Sequence, residues 1–136
     1  MTDIPVVIVD DNVTDRYIVR RRLAKAGGFG QIFEADNGDD FLNRLKNGDF
    51  HNEPPDAPLL ILMDVNMPRK TGFETIAELE ELIDKGAQQP SMVVMMLTSS
   101  SNPRDMEQAE QLETINGYVF KPLDDEGVRK IHTLYR

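Results

Sequence analysis

Four short apolar runs constrain what this chain can fold into more than any other feature. They are Val6-Val7-Ile8-Val9, Leu59-Leu60-Ile61-Leu62-Met63, Met92-Val93-Val94-Met95-Met96-Leu97 and Tyr118-Val119-Phe120. Each ends in polar chemistry. Asp10-Asp11 follows the first, Asp64 and then Val65-Asn66-Met67-Pro68 the second, Thr98-Ser99 the third and Lys121-Pro122 the fourth. If the runs are adjacent parallel strands, their C-terminal ends gather three acids, a hydroxyl and a lysine at one edge. Ligands bind at that edge of an open α/β sheet.

Helical patterns separate the runs. Tyr17, Ile18, Leu23 and Ala26 mark a first helix, closed by Gly27-Gly28. Gln31 to Ala35 reads as a short second strand, and Asn37 caps a helix carrying Phe41, Leu42 and Leu45. Phe73, Ile76, Leu79 or Glu80, and Ile83 give a helix ended by Gly86. Pro103 can open a further helix with a thin stripe of Met106, Ala109 and Leu112. A last helix carries Val128, Ile131 and Leu134. Asn47 to Pro58 is a loose, proline-rich segment, read as a solvated surface connection.

Strands alternating with helices imply a parallel sheet covered on both faces. The first, third and fourth strands are the most continuously apolar and should be central; the second, with Gln31 and Glu34, should be an edge. Right-handed crossovers then favour a flavodoxin-like, doubly wound, five-stranded sheet of order 2-1-3-4-5 with five helices. At 136 residues the chain is long enough for one domain, read as spanning 1–136 with no output domain.

The formal charge of −9 argues against a nucleic-acid binder, which needs a basic stripe. The absence of cysteine excludes disulfides, thiolate metal sites and cysteine catalysis. The polar N-terminus has no signal-peptide pattern, and no apolar stretch is long enough to span a membrane. The expectation is a cytoplasmic protein.

Asp10, Asp11 and Asp64 would carry −3 at close range, a repulsion relieved by protonation or by a cation. Lys121 contributes +1 and a divalent ion +2, so the sum reaches zero. Oxygen donors in a partly hydrated site suit Mg²⁺ or Mn²⁺ rather than zinc. A carboxylate beside such an ion can act as a nucleophile toward a phosphoryl group. That transfer depends chiefly on positioning and on neutralising the equatorial oxygens. Taken alone, Asp10-Asp11-Asn12 reads equally well as a helix-capping turn.

These residues resemble the response-regulator receiver domains of two-component signalling, and the single-domain chemotaxis receivers among them. The resemblance rests on Val9-Asp10-Asp11-Asn12, Met63-Asp64-Val65-Asn66-Met67-Pro68, Gly72, Leu97-Thr98-Ser99 and Tyr118-Val119-Phe120-Lys121-Pro122. The long connection before the third strand is similar to that of regulators paired with phytochrome-type kinases. Ile115-Asn116 departs from the family's usual Gly-Ala.

The resemblance implies that Asp64 is the phosphoacceptor and that Asp11 binds the metal directly, with Asp10 acting mainly through water. Asn66 would offer its backbone carbonyl. Thr98 and Lys121 would contact the phosphoryl group, with Thr98 and Tyr118 as the switch pair. It also implies a cis Lys121-Pro122 bond. The phosphodonor would be a sensor histidine kinase or histidine phosphotransfer protein. Output would pass through the helix after Pro103, the fifth strand and the last helix, around Met106, Tyr118 and Val128, to a protein partner or a second copy. The protein would not be an enzyme beyond catalysing its own phosphorylation and dephosphorylation.

A haloacid-dehalogenase-type phosphatase would need an acid two residues after the nucleophile, where this chain has Asn66. A flavin site would need a phosphate loop where Asp10-Asp11 repels phosphate. An unphosphorylated docking module is argued against by the intact set of residues. Arg20-Arg21-Arg22 reads as a solvated helix face or a dock for an acidic surface. Met92, Met95 and Met96 read as core, and His51 and His132 receive no role.

Overall fold

Ile4–Val9 and Leu59–Asp64 are buried at every residue, which requires cover on both faces of the sheet they join. The computed structural model describes residues 3–50, 57–86, 91–98, 107 and 112–135. The strands are β1 (Ile4–Val9), β2 (Phe29–Ala35), β3 (Leu59–Asp64), β4 (Met92–Thr98) and β5 (Ile115–Phe120). They pair in parallel in the order β2-β1-β3-β4-β5, so the expected order and the edge position of β2 are both found.

The helices are α1 (Val13–Ala26), α2 (Gly38–Lys46), α3 (Gly72–Asp84) and α4 (Asp125–Tyr135). The expected count of five is therefore corrected to four among the described residues. The helix anticipated from Pro103 falls on a segment described only at Glu107 and Leu112, so it lies outside them. Leu112 is partly buried against the core.

Because side chains alternate across a strand, the apolar runs divide between two cores. Val7, Val9, Ile61, Met63 and Met96 pack with Phe41, Leu45, Ile76 and Leu79 of α2 and α3. Val6, Ile8, Leu60, Leu62, Met95 and Leu97 pack with Val19 and Leu23 of α1 and with Val128 and Ile131 of α4. Fully burying each such side chain stabilises the fold by about 1.5–3 kcal/mol.

Two expectations need correction. In α1 the buried residues are Val19 and Leu23, four apart, whereas Tyr17 and Ile18 are 57% and 42% exposed. The inner face lies on the Val19 side, where Val19 and Leu23 join the core, and on the flank of that face Arg16 and Arg20 reach across to Glu34 on β2. The connection after α2 is not solvated throughout. Phe50 is buried, stacks on Phe41 at 5.9 Å and lies under the Arg44 guanidinium at 4.7 Å. Ala57 is buried at the other end, and residues 51–56 lie outside the described set.

α3 begins with a capping box, Thr71 accepting from the Glu74 N–H while the Glu74 carboxylate accepts from the Thr71 N–H. Its first residue sits directly beneath the end of β3. A Cβ on Gly72 would meet the Asp64 carbonyl oxygen at 2.3 Å and Met96 Cε at 2.6 Å. The backbone contact cannot yield as a side chain can. Gly72→Ala should therefore cost about 1–3 kcal/mol in urea denaturation, the range for overpacking. An unchanged midpoint would mean that α3 can retreat from β3 without loss.

Candidate functional site

The parallel order delivers the four polar strand endings to one edge. Asp10 follows β1 and is 1% exposed; Asp64 closes β3 and is 6% exposed. Asp11 is exposed beside them. One carboxylate oxygen from each of Asp10, Asp11 and Asp64 lies within 4.8 Å of the others, a grouping able to hold a cation. The three hard oxygen donors fit Mg²⁺ or Mn²⁺ chemistry.

Local backbone geometry aims these groups. The Asn12 N–H donates to Asp10 Oδ1 at 2.9 Å, and the Asn12 side chain accepts from the Asp15 N–H at 3.1 Å as the cap of α1. Asn12 is thus the cap that one reading expects, and the same turn places Asp10 and Asp11 beside Asp64. Arg16 donates to the Asp10 carbonyl at 2.6 Å. Past β3, the Val65 N–H donates to the Leu97 carbonyl at 3.0 Å and the Gly72 N–H to the Val65 carbonyl at 2.9 Å. Asn66 follows and is exposed, its N–H facing the Asp64 carboxylate.

Lys121 enters from the far side of the sheet. Its N–H donates to the Thr98 carbonyl at 2.8 Å, and the bond to Pro122 is cis, as expected. Its Nζ lies 2.7 Å from Asp10 Oδ2, 3.1 Å from Asp64 Oδ1 and 3.1 Å from Asp15 Oδ2. Thr98 is buried at the end of β4. Tyr118 is half-buried on β5, with Lys130 Nζ 4.4 Å from its ring centre and the Phe120 ring at 5.8 Å. Asp10, Asp11, Asp64 and Lys121 therefore come together, with Thr98 at the same edge and Tyr118 two residues back along β5. Val128 is buried on α4, and Met106 lies outside the described residues.

Sequence reasoning passed over Asp15 and Arg16. The signal was available: both fall on the first turn of α1, directly after Asp10-Asp11. The arginine run does not act as one surface. Arg20 pairs with Glu34, Arg22 with Asp125, and Arg21 lies over the exposed Tyr17 ring at 5.8 Å. Among the described residues no helix is long and apolar enough to cross a membrane.

The family model described as the response regulator receiver domain matches residues 6–132. The chemotaxis protein CheY-3 of Vibrio cholerae is 32% identical over 120 residues, covering 86% of this chain and 79% of that protein. The sensor histidine kinase CheAY of Helicobacter pylori is 32% identical over 126 residues, 92% of this chain but only 14% of that longer kinase. A solved two-component response regulator from Cytophaga hutchinsonii has a TM-score of 0.83 at 22% identity, covering 99% of this chain and 98% of that one. At that identity the likeness is one of fold.

Burial first, and the Asp10 charge second, push the Asp64 carboxyl up to about 6, against the pull of Lys121 and the Asn66 N–H. For Lys121, burial favours the neutral amine. The hydrogen bond to Asp10 and the charges of Asp64 and Asp10 outweigh it and raise its pKa. An acid raised in this way stabilises the fold fully below its unfolded value of 3.8 and loses that contribution as pH rises through about 6. Ionised Asp64 thus costs stability at neutral pH, on the order of 1–3 kcal/mol. In metal-free buffer, Asp64→Asn should be more stable than the parent at about pH 7.5, with the gap shrinking toward about pH 4.5. Urea denaturation across that range measures it; a constant gap would mean that Asp64 titrates normally.

Proposed function

The chain belongs to the response regulator receiver domains, and on that premise we propose that it is a phosphorylation-dependent switch of a two-component phosphorelay, with Asp64 as phosphoacceptor. The observation that carries this reading is the convergence of Asp64 with Lys121 at 3.1 Å and with the Asp10 and Asp11 carboxylates at one sheet edge. Receiver domains act as switches that promote their own phosphorylation and dephosphorylation, and are not enzymes turning over a separate substrate.

An Asp64 carboxylate oxygen attacks the phosphorus of a phosphohistidine on a histidine kinase or phosphotransfer protein. The P–O bond forms as the P–N bond breaks, and the imidazole leaves with the electron pair and takes up a proton. Water attack at the same phosphorus later releases inorganic phosphate and restores the carboxylate. Such transfer is governed by positioning and charge neutralisation. Asp10, Asp11 and Asp64, with the Asn66 backbone carbonyl, would hold Mg²⁺, or Mn²⁺ in its place. Such an ion would supply positive charge against the phosphoryl oxygens. Lys121 meets one oxygen and the Thr98 hydroxyl another. The carboxylate of Asp64, with its pKa near 6, is mostly ionised and nucleophilic at neutral pH.

Phosphorylation adds about one negative charge beyond the carboxylate it replaces. Thr98 is drawn toward that charge, and Tyr118, on the neighbouring strand, gains room to move inward. The surface of β5 and α4 then becomes readable by a downstream protein or a second copy of the chain.

Incubation with acetyl phosphate and Mg²⁺ should add about 80 Da to the intact mass, the mass of one phosphoryl group. Asp64→Asn should abolish the gain, and an acid-stable adduct in that variant would move the acceptor to a hydroxyl. Thr98→Ala should still accept the group but lose the protection that phosphorylation brings to β5 amides in hydrogen exchange. A response as large as the parent's would route the switch away from Thr98. Saturating Mg²⁺ should raise the melting temperature, and Asp11→Ala should remove most of that rise. An equal rise in both proteins would place the ion elsewhere.

A further inference from the structure

Lys121 is held by more acid than the phosphoacceptor site requires. Asp10 and Asp64, the first two partners of its ammonium, both belong to the carboxylate group that fits the cation. The third, Asp15, does not belong to that group. It stands on the first turn of α1, with its Oδ2 3.1 Å from Lys121 Nζ and a side chain 37% exposed. An ammonium has three N–H donors, and three carboxylates lie within 3.1 Å of this one.

An acid in the first turn of a helix is ordinarily explained by the helix dipole. That explanation does not require the side chain to turn toward a lysine 106 residues away in sequence. A phosphoryl group on Asp64 takes over the donor that now faces Asp64, but its oxygens stand farther out than the carboxylate, so the ammonium must shift toward them and one of its other two contacts must lengthen. The Asp10 contact is the shortest of the three at 2.7 Å and comes from a carboxylate that is 1% exposed, so surrendering it would strand a buried charge. Asp15 is exposed enough for water to replace the lysine. Its contact is the one that can yield.

Resting on the phosphoacceptor reading of Asp64, we infer that Asp15 is a positioning residue that competes with a phosphoryl group on Asp64 for the Lys121 ammonium. It ties the lysine toward α1 and so makes the phosphorylated state less favourable than the lysine and metal would otherwise make it. Asp15 touches neither the phosphoryl group nor the ion; it acts through Lys121.

The test is the affinity for beryllium trifluoride, a phosphoryl mimic, measured by NMR titration at saturating Mg²⁺ for the parent, Asp15→Asn and Asp15→Leu. Asparagine keeps an oxygen that accepts from Lys121 and loses only the charge, whereas leucine removes both. Binding should tighten about twofold in Asp15→Asn and about fivefold in Asp15→Leu, the scale of a partly exposed ion pair. The lifetime of the acetyl-phosphate adduct should lengthen in the same order. Unchanged or weaker binding in both variants overturns the inference. Equal tightening in the two overturns it as well, since that would reflect the lost charge alone and not the released lysine. A parent that binds no beryllium trifluoride refutes the phosphoacceptor reading itself, and this inference with it.

Discussion

The ammonium of Lys121 is the interaction on which the site depends. Asp10 and Asp64 are both buried, at 1% and 6% exposure, and two ionised carboxylates withdrawn from water repel each other strongly. A single positive charge within 3.1 Å of both makes that pair tolerable. The compensation is partial, because Asp64 remains raised to about 6 even with the lysine in place. The site therefore has an unmet demand for positive charge, and a divalent cation is the simplest species that meets it.

The precision of the arrangement comes from backbone bonds that continue just past the strands. The Asp10 N–H donates to Ala35 on β2, the Val65 N–H to Leu97 on β4, and the Lys121 N–H to Thr98 on the same strand. Asp10, Asp64, Thr98 and Lys121 are thereby placed at, or one residue beyond, the end of a ladder whose register is set by buried apolar side chains. A slip of one residue would turn Asp10 or Asp64 to the wrong face and move a valine or methionine into the cluster. The cores on the two sheet faces thus protect the chemistry as well as the fold.

Much of this was legible in the residues. Continuous apolar runs such as Leu59 to Met63 mark doubly covered strands, and their polar endings marked the site before any contact was known. Asn37 and Gly27 gave helix boundaries because capping chemistry is local: Asn37 caps α2, and Gly27 takes a φ of 79° after α1. The rotation of α1 was not legible. Tyr17 and Ile18 look as apolar as Val19, and the choice among them depends on how α1 packs on the sheet, where its flanking Arg16 and Arg20 meet Glu34 across eighteen and fourteen residues. The Asp15–Lys121 pairing was hidden for the same reason, since no local pattern reports a partner 106 residues away. The burial of Phe50 depends likewise on Phe41 and Arg44 closing over it.

Lys121 also joins two parts of the molecule that would otherwise respond separately. Its backbone N–H is bonded to Thr98 at the end of β4, while its side chain reaches Asp15 on α1. Its own strand carries Tyr118, whose ring is packed by Phe120 and approached by Lys130 of α4. New negative charge at Asp64 acts on the ammonium directly, and the ammonium is tied to the start of α1 by its own contact and to the β4–β5 edge through the Lys121 backbone. The first of these connections is a partly exposed ion pair, which yields for little energy. The second is a backbone hydrogen bond in a buried ladder, which does not. A perturbation at Asp64 should therefore move the lysine side chain relative to α1 first, with the frame of β4 and β5 held as the reference against which Thr98 and Tyr118 rearrange.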